Sequence, residues 1–218
     1  KTFAEKNGNN FIVNGTKNWV TSGENSDLII FFCKTEKGAG SKGISAFIIE
    51  KGTPGLTTGK KEEKLGIRAS DTCELYFDNC EIPESNLIGN LGQGFSIAMQ
   101  ALGGGRIGIA SQSVGLARAA LDKTISYSQG REQFGQLISK FGAIQNKIAD
   151  MATNIEAARL LVMQAAMLKD QGKEYIKESS MAKLFASSTA MSAATECVQV
   201  HGGYGYMQEY GVERLMRD

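Results

Sequence analysis

The spacing of apolar residues changes near Pro83, and this change constrains the fold more than any other feature of the sequence. Before it, short runs rich in β-branched and aromatic residues alternate with turn residues, as is typical of β-strands. No helical pattern separates these runs, so an antiparallel β sandwich or barrel fits better than a parallel sheet with crossover helices. The predicted strands cover residues 11–13, 17–21, 28–33, 44–50, 56–59 and 73–77.

Asn14-Gly15 lies between the first two of these runs and predicts a tight turn. Asn and Gly tolerate the positive φ angles of a type I′ turn, which is the commonest connection in a two-residue hairpin. We therefore expect residues 11–13 and 17–21 to pair with each other as neighbouring antiparallel strands.

After Pro83 the apolar residues recur at spacings of three and four, which indicates helices. The clearest stripe runs from Ile144 to Ala165 and predicts a helix of roughly 27 residues. Two further stripes cover residues 114–125 and 181–198, and their many small residues allow close helix contact. The sequence thus predicts an α+β protein, with a β domain at residues 1–88 and an antiparallel helical bundle at 89–218.

Both ends of the chain lack the usual start and stop signals. Lys1 opens inside a segment with strand character, and the final Arg217-Asp218 has no helix stop signal after it. We expect the chain to be a fragment in which both domains are truncated at the outer ends.

Composition excludes several classes of function. A formal net charge of +1 gives no electrostatic reason to expect a nucleic-acid partner. No apolar run approaches the roughly 18 residues of a membrane-spanning helix, so we expect no membrane insertion. The four cysteines lack CxxC spacing and the chain has a single histidine, which argues against a zinc site and favours reduced thiols.

Three short motifs could contact a ligand, although a core tryptophan, an ordinary loop after a helix and a helix C-cap are the alternative structural interpretations. Trp19-Val20-Thr21 ends a predicted strand and contains the one tryptophan of the sequence, followed by a hydroxyl two residues later. Arg131 can bind phosphate through its guanidinium, and the nearby aromatic ring of Phe134 can stack on a base. Gly202-Gly203 follows the last long helix, where glycine allows a ligand to approach the main chain closely.

In this order and spacing, the motifs of the chain resemble those of the acyl-CoA dehydrogenases over essentially all 218 residues. The short-chain and short/branched-chain members are the most similar. The segments that carry the resemblance are Trp19-Val20-Thr21, Lys64-Leu65-Gly66-Ile67-Arg68-Ala69-Ser70, Asn86-Leu87-Ile88-Gly89, Gly105-Arg106-Ile107-Gly108, Arg131-Glu132-Gln133-Phe134-Gly135 and Gln199-Val200-His201-Gly202-Gly203.

The resemblance implies an FAD-dependent oxidoreductase of fatty acid metabolism. Such an enzyme converts a short- or branched-chain acyl-CoA to the trans-2-enoyl-CoA and passes the electrons to an electron-transfer flavoprotein. It also implies a homotetramer, built as a dimer of dimers, in the mitochondrial matrix or the bacterial cytoplasm.

The resemblance also implies the roles of particular residues. Trp19, Val20 and Thr21 would lie along the isoalloxazine ring, with the Thr21 hydroxyl near N5 and O4. Arg106 would lie on the substrate side. The remaining cofactor contacts would be made across a subunit interface, by Arg131 and Phe134 at the pyrophosphate and adenine and by Gln199, Val200, His201, Gly202 and Gly203 on the adenine side.

The resemblance places the catalytic base, a glutamate, shortly after Asp218. A minority of members carry it just before the arginine that matches Arg106, where this chain has Gly105. We therefore expect no catalytic base among these residues, and no activity from the 218-residue piece alone. Gly103 and Gly142 also depart from the family pattern, where relatives commonly have Asp and Gln.

Two alternatives remain open from the sequence. One is a fold relative that oxidises its flavin with oxygen, such as an acyl-CoA oxidase or a nitroalkane oxidase. The other is a non-catalytic protein that kept the fold after losing its base.

Overall fold

Seven strands in the first part of the chain form one sheet. The computed structural model describes residues 2–218. The strands are β1 (Phe3–Asn7), β2 (Asn10–Thr21), β3 (Leu28–Lys34), β4 (Ile44–Glu50), β5 (Leu56–Thr58), β6 (Thr72–Pro83) and β7 (Leu87–Ile88). Neighbouring strands are antiparallel except β1 and β3, which are parallel, and the order across the sheet is β5-β6-β2-β1-β3-β4-β7.

The sheet curls around a single apolar core. Phe11 on β2 and Phe47 on β4 are three strand positions apart, which would separate them by about 14 Å in a flat sheet. Their ring centroids are only 5.0 Å apart, and those of Phe31 on β3 and Phe77 on β6 are 4.8 Å apart. Buried side chains of five strands therefore share one core, which confirms the predicted class of antiparallel β domain.

The hairpin predicted at Asn14-Gly15 is wrong, because β2 runs straight through both residues. The β2–β6 ladder has a bulge there, and Asn79 on β6 adopts a left-handed φ of 48°. The side-chain oxygen of Asn14 accepts a hydrogen bond from the backbone N–H of Asn79 at 2.7 Å. A residue distant in sequence therefore provides the hydrogen-bond partner of Asn14. The tight turn lies earlier, at Gly8 between β1 and β2, where φ is 61°.

The second part of the chain is helical, as predicted. Two apolar clusters join residues of the first three helices, α1 (Gly94–Gly130), α2 (Gly142–Asp170) and α3 (Ile176–His201). Within these clusters α1 and α3 each run antiparallel to α2. Small residues, four of them alanines, make up most of the buried face of α3, which allows the helices to pack closely. The other elements are a small hairpin of β8 (Glu132–Gln133) and β9 (Gln136–Leu137), between α1 and α2, and the final helix α4 (Val212–Arg217).

The chain divides into two units, one extending to Gln100 and the other comprising Ala101–Asp218. The domain boundary expected between residues 88 and 89 stays a prediction. Among residues 2–218, no helix is long and apolar enough to cross a membrane.

Candidate functional site

A cavity of about 550 Å³ lies in the second unit, where the C-terminal ends of α1 and α3 come together. Five of the residues predicted from the sequence to contact the cofactor line this cavity, although they come from two motifs that are about 70 positions apart in the chain. These are Arg131, Val200, His201, Gly202 and Gly203. The other lining residues are Tyr127, Gln133, Ile138, Tyr204, Met207 and Glu209.

Glycines shape the wall of the cavity where α3 ends. Gly202 caps the helix with a left-handed φ of 59°, and the chain continues as a 3₁₀ turn over Gly202–Tyr206. At Gly205 the backbone passes so close to α3 that an added Cβ would lie 2.3 Å from the Val198 carbonyl oxygen. At Gly203 no atom lies within 4 Å of such a Cβ. The turn is therefore packed against the helix on one side and open on the other.

Arg131 follows directly after α1 and supplies a positive charge to the cavity. Its guanidinium lies over the ring of Tyr204, 5.3 Å from the centroid, and Tyr204 itself packs against Tyr210. None of the ion pairs among residues 2–218 involves Arg131. The planar fork of an arginine held in this way is suited to binding phosphate oxygens.

His201 is buried beside the cavity and is fixed in one tautomer. Its Nδ1 lies 2.8 Å from the carbonyl oxygen of Cys197, and because a carbonyl only accepts, Nδ1 carries the proton. Burial lowers the pKa of His201 below its ordinary value, and the charge of Lys123 acts in the same direction. The imidazole is thus neutral near pH 7, with Nε2 as an acceptor.

Phe134 and Gln199 are the two predicted contacts of this region that do not line the cavity. Phe134 forms the tip of the β8–β9 hairpin together with Gly135, and both have left-handed φ angles, of 56° and 79°. Its side chain is 93% exposed, with the ring of Phe141 the nearest aromatic neighbour at 6.3 Å. Gln199 is exposed on the last turn of α3.

Trp19, Val20 and Thr21 lie at the end of β2 in the first unit. The β2–β6 register shifts between Lys17 and Val20, and within this bulge Trp19 adopts a left-handed φ of 52°. The indole is 74% exposed and Thr21 is exposed too, whereas Val20 packs against the β core. The segment therefore presents a flat aromatic ring and a hydroxyl to its surroundings.

The turn that follows Thr21 is held by Asp71, a residue that the sequence analysis did not single out. Its carboxylate accepts hydrogen bonds from the backbone N–H of Glu24 and the side-chain amide of Asn25. The Asn25 bond, and after it the Glu24 bond, lower the pKa of Asp71 below its ordinary value. A single aspartate after Ser70 carries no sequence signal for this role.

Arg106 is on α1, half-buried, and does not line the cavity. It precedes the end of α1 at Gly130 by 24 residues, or about 36 Å along the helix axis. Arg106 is therefore in the N-terminal half of α1, far along the helix from the cavity at its C-terminal end.

Both parts of the chain match known family descriptions. Residues 1–80 match the acyl-CoA dehydrogenase middle domain, and residues 92–218 match the acyl-CoA dehydrogenase C-terminal domain. The chain belongs to the acyl-CoA dehydrogenase family.

Individual relatives agree with this assignment. The chain is 49% identical over 217 residues to the mitochondrial short-chain specific acyl-CoA dehydrogenase of Rattus norvegicus, covering 100% of this chain and 53% of the rat protein. The solved structure of butyryl-CoA dehydrogenase from Megasphaera elsdenii superposes with a TM-score of 0.97 at 49% identity, covering 100% of this chain and 57% of that one.

A further solved structure concerns the electron transferring flavoprotein of Acidaminococcus fermentans and flavin-based electron bifurcation. One of its chains matches with a TM-score of 0.96 at 52% identity, covering 100% of this chain and 57% of the other. The chain thus spans little more than half the length of the relatives it matches.

Proposed function

We propose that the whole protein is a flavoenzyme that uses FAD to convert a short- or branched-chain acyl-CoA to the trans-2-enoyl-CoA. Family membership supports the reaction type, and the names of the rat and Megasphaera relatives support short acyl chains. The Acidaminococcus match supports an electron-transfer flavoprotein as the electron acceptor. Because one relative is mitochondrial and another bacterial, the mitochondrial matrix or the bacterial cytoplasm is the proposed location.

The observation that carries the proposal is the cavity at the ends of α1 and α3, whose chemistry fits the adenine and pyrophosphate portion of FAD. Arg131, oriented by Tyr204, offers two parallel N–H donors to a pyrophosphate. Gly203 leaves the main chain open to a ligand, and neutral His201 offers an acceptor to an amino or hydroxyl group. Phe134, exposed at its hairpin tip, is available to stack on a base.

The exposed end of β2 fits the flavin ring system. The indole of Trp19 offers a flat surface, and the Thr21 hydroxyl offers a donor near N5 and O4. FAD, when bound, would supply the hydride acceptor of the reaction. The Thr21 hydroxyl would serve as a preorganised donor to it, and preorganised donors need no reorientation during a reaction.

The remaining parts of the proposal concern the substrate side, the catalytic base and the subunit arrangement. Arg106 is proposed on the substrate side. The catalytic glutamate is proposed after Asp218, so the 218-residue chain alone would be inactive. Two groups of residues are proposed to reach the cofactor of a neighbouring subunit in a homotetramer. They are Arg131 with Phe134, and Gln199 with Val200, His201, Gly202 and Gly203.

The decisive experiment is an anaerobic titration of the purified whole protein. Its visible absorption spectrum is recorded before and after the addition of butyryl-CoA. Flavin absorption that bleaches on addition, and returns with electron-transfer flavoprotein, is the expected result. An Arg131→Lys variant keeps the charge but loses the planar fork, and should bind FAD more weakly.

Other outcomes would redirect the proposal. Oxygen uptake that matches substrate consumption would identify an oxidase. Flavin absorption that persists with butyryl-CoA and with branched acyl-CoAs would indicate a non-catalytic member of the family. A protein that stays colourless after incubation with FAD would overturn the proposed cofactor.

A further inference from the structure

The end of β2 is held in a conformation that its own residues disfavour. Trp19 and Ser22 have left-handed φ angles of 52° and 57°, and neither is glycine. A bulky aromatic residue at positive φ is a genuine outlier. Such conformations persist only where the surrounding structure imposes them, and they concentrate at functional sites. Neighbouring residues must therefore impose the left-handed conformation of Trp19 and Ser22.

Asp71 makes the hydrogen bonds that close the turn after Thr21. Its carbonyl oxygen accepts the Ser22 N–H at 2.9 Å. Its Oδ2 accepts the Glu24 N–H at 3.0 Å, and its Oδ1 accepts the Asn25 side-chain amide at 2.9 Å. Asp71 is only 5% exposed, whereas its partners Glu24 and Asn25 are exposed, so the two carboxylate bonds are partly shielded from water. Every acceptor atom of the residue is thus used on this one turn.

The pairing of β2 with β6 connects Asp71 to the exposed segment that contains Trp19 and Thr21. Asp71 immediately precedes Thr72, which pairs with Thr21 in the β2–β6 ladder. Beneath the turn, Gly23 lies so close to β6 that an added Cβ would be 2.7 Å from Sγ of Cys73. The turn is therefore packed closely against β6 at Gly23 and is hydrogen-bonded to Asp71 at Ser22, Glu24 and Asn25.

We infer that Asp71 is a positioning residue, whose buried carboxylate fixes the turn at residues 22–25 and thereby the outward orientation of Trp19 and Thr21. Its importance for catalysis rests on the proposed function, in which Trp19 and Thr21 contact the flavin. Asp71 itself acts only through the turn.

The hydrogen bonds from Asn25 and then Glu24 lower the pKa of Asp71 and keep its carboxylate ionised, and the nearby charges add a smaller effect. Lys61 provides a nearby positive charge, and the ammonium group of Lys64 is bound to Thr72. The acidic neighbours are Glu24 and Glu62, and the thiol of Cys73 lies beneath the turn. With the two donors on its oxygens, the carboxylate remains charged throughout the neutral range.

The test compares Asp71→Asn with Asp27→Asn in the 218-residue chain. Asp71→Asn keeps the shape of the side chain but places an amide donor against the N–H of Glu24 or the amide of Asn25. Asp27 is exposed near the same turn, so its variant has the same charge change and serves as the matched control. Trp19 is the only tryptophan, which makes its backbone and indole signals simple to identify by NMR.

In the parent and in Asp27→Asn, the backbone order parameters of Trp19 and Thr21 should be near 0.85, and in Asp71→Asn below about 0.6. The HN–Hα coupling of Trp19 should also leave the value of a left-handed φ. Signals of residues 11–13 in the same spectra should not change, which separates positioning from general destabilisation.

In a pH titration of the parent, the Trp19 signals should shift at a pH below the ordinary aspartate range. Asp71→Asn should lack this shift.

A folded Asp71→Asn variant with unchanged Trp19 signals would overturn the inference. If this variant does not fold, Asn25→Ala removes one donor only and should give a smaller loss of order in the same two residues. Unchanged order in Asn25→Ala would then overturn it.

FAD binding to the whole protein is measured separately, with a decrease on the order of tenfold expected for Asp71→Asn. Failure of the parent to bind FAD would overturn the proposed function, whereas the NMR result would still decide whether Asp71 positions Trp19. Unchanged FAD affinity in a variant with a disordered Trp19 would remove the link to the cofactor.

Discussion

The ring of Tyr127 stacks on the imidazole of His201, with centroids 4.1 Å apart and an angle of 24° between the planes. Tyr127 is on α1 and His201 is the last residue of α3, so the stack joins the two helix ends that form the cavity. Because the stack also shields the imidazole from water, the protonation state of His201 is linked to the stability of the fold.

The first prediction concerns this linkage. The pKa of His201 is lowered in the folded protein, whereas in the unfolded chain it is near 6.5. Below about pH 6.5 the unfolded chain therefore binds more protons, and the free energy of unfolding should fall by up to about 1.4 kcal/mol per pH unit. This decrease should level off once the pH is below the folded pKa of His201.

Urea unfolding between pH 8 and pH 5 measures the effect. His201 is the only histidine of the chain, so the comparison with His201→Asn isolates one group. The amide of Asn can still donate to the Cys197 carbonyl. Equal pH dependence of the parent and the variant would contradict the prediction.

The second prediction separates stability from binding at Phe134. Because its side chain is 93% exposed, Phe134→Ala should change the free energy of unfolding by no more than about 0.5 kcal/mol. Loss of a stacked base should weaken FAD binding by about 1–3 kcal/mol. Tyr206→Ala, at an 84% exposed position outside the cavity lining, is the control. Equal FAD affinities of the two variants, measured by fluorescence titration, would argue against stacking by Phe134.

The third prediction assigns different roles to two glycines of one turn. In Gly205→Ala the new Cβ would meet the Val198 carbonyl oxygen at 2.3 Å, and we expect a loss of about 1–3 kcal/mol in unfolding free energy. Gly203→Ala meets no atom within 4 Å, so its stability should be close to that of the parent. Its methyl group would stand at the cavity wall and weaken FAD binding. Urea unfolding and FAD titration of both variants decide this, and normal FAD affinity in Gly203→Ala would contradict the proposed contact.

The fourth prediction concerns the close packing of Gly23 against the side chain of Cys73 on β6. Gly23→Ala should lower the free energy of unfolding by about 1–3 kcal/mol, because its Cβ would be 2.7 Å from Sγ of Cys73. Cys73→Ala removes that sulfur, so the double variant should be more stable than the sum of the single changes implies. A coupling energy of about 0.5–3 kcal/mol is expected.

Gly115→Ala provides the matched control for this cycle. Gly115 is inside α1 with no atom within 4 Å of an added Cβ, so alanine should stabilise the protein by about 0.5–1 kcal/mol. Additive effects of Gly23→Ala and Cys73→Ala would show that the predicted clash does not occur.

The helices could be predicted because their signal is local. The stripe from Ile144 to Ala165 places Met151, Ile155 and Val162 on one face, and these side chains are buried along α2. The strand at β6 is longer than predicted, since it continues past Asp78-Asn79 to Pro83. That continuation depends on Asn14 binding Asn79 from 65 positions away, which no local pattern can indicate.

The candidate site was predictable only in part, for the same reason. The motif residues Arg131 and His201 have suitable chemistry, but only the fold brings the two helix ends together. Tyr127 and Tyr204, which hold these side chains, look like ordinary aromatic residues in the sequence. Asp71 acts through a turn 46 positions away in sequence, at Asn25.

The order of strands in the sheet also affects how readily the protein aggregates through its sheet edges. Its two edges are β5 and β7, which are only three and two residues long, while the long strands β2 and β6 lie inside. An edge strand exposes unpaired N–H and C=O groups that can recruit another chain, and very short edges offer little to recruit. The short edge strands therefore limit edge-to-edge pairing where they cover β4 and β6, which is at Ala46 and Phe47 and at residues 75–77.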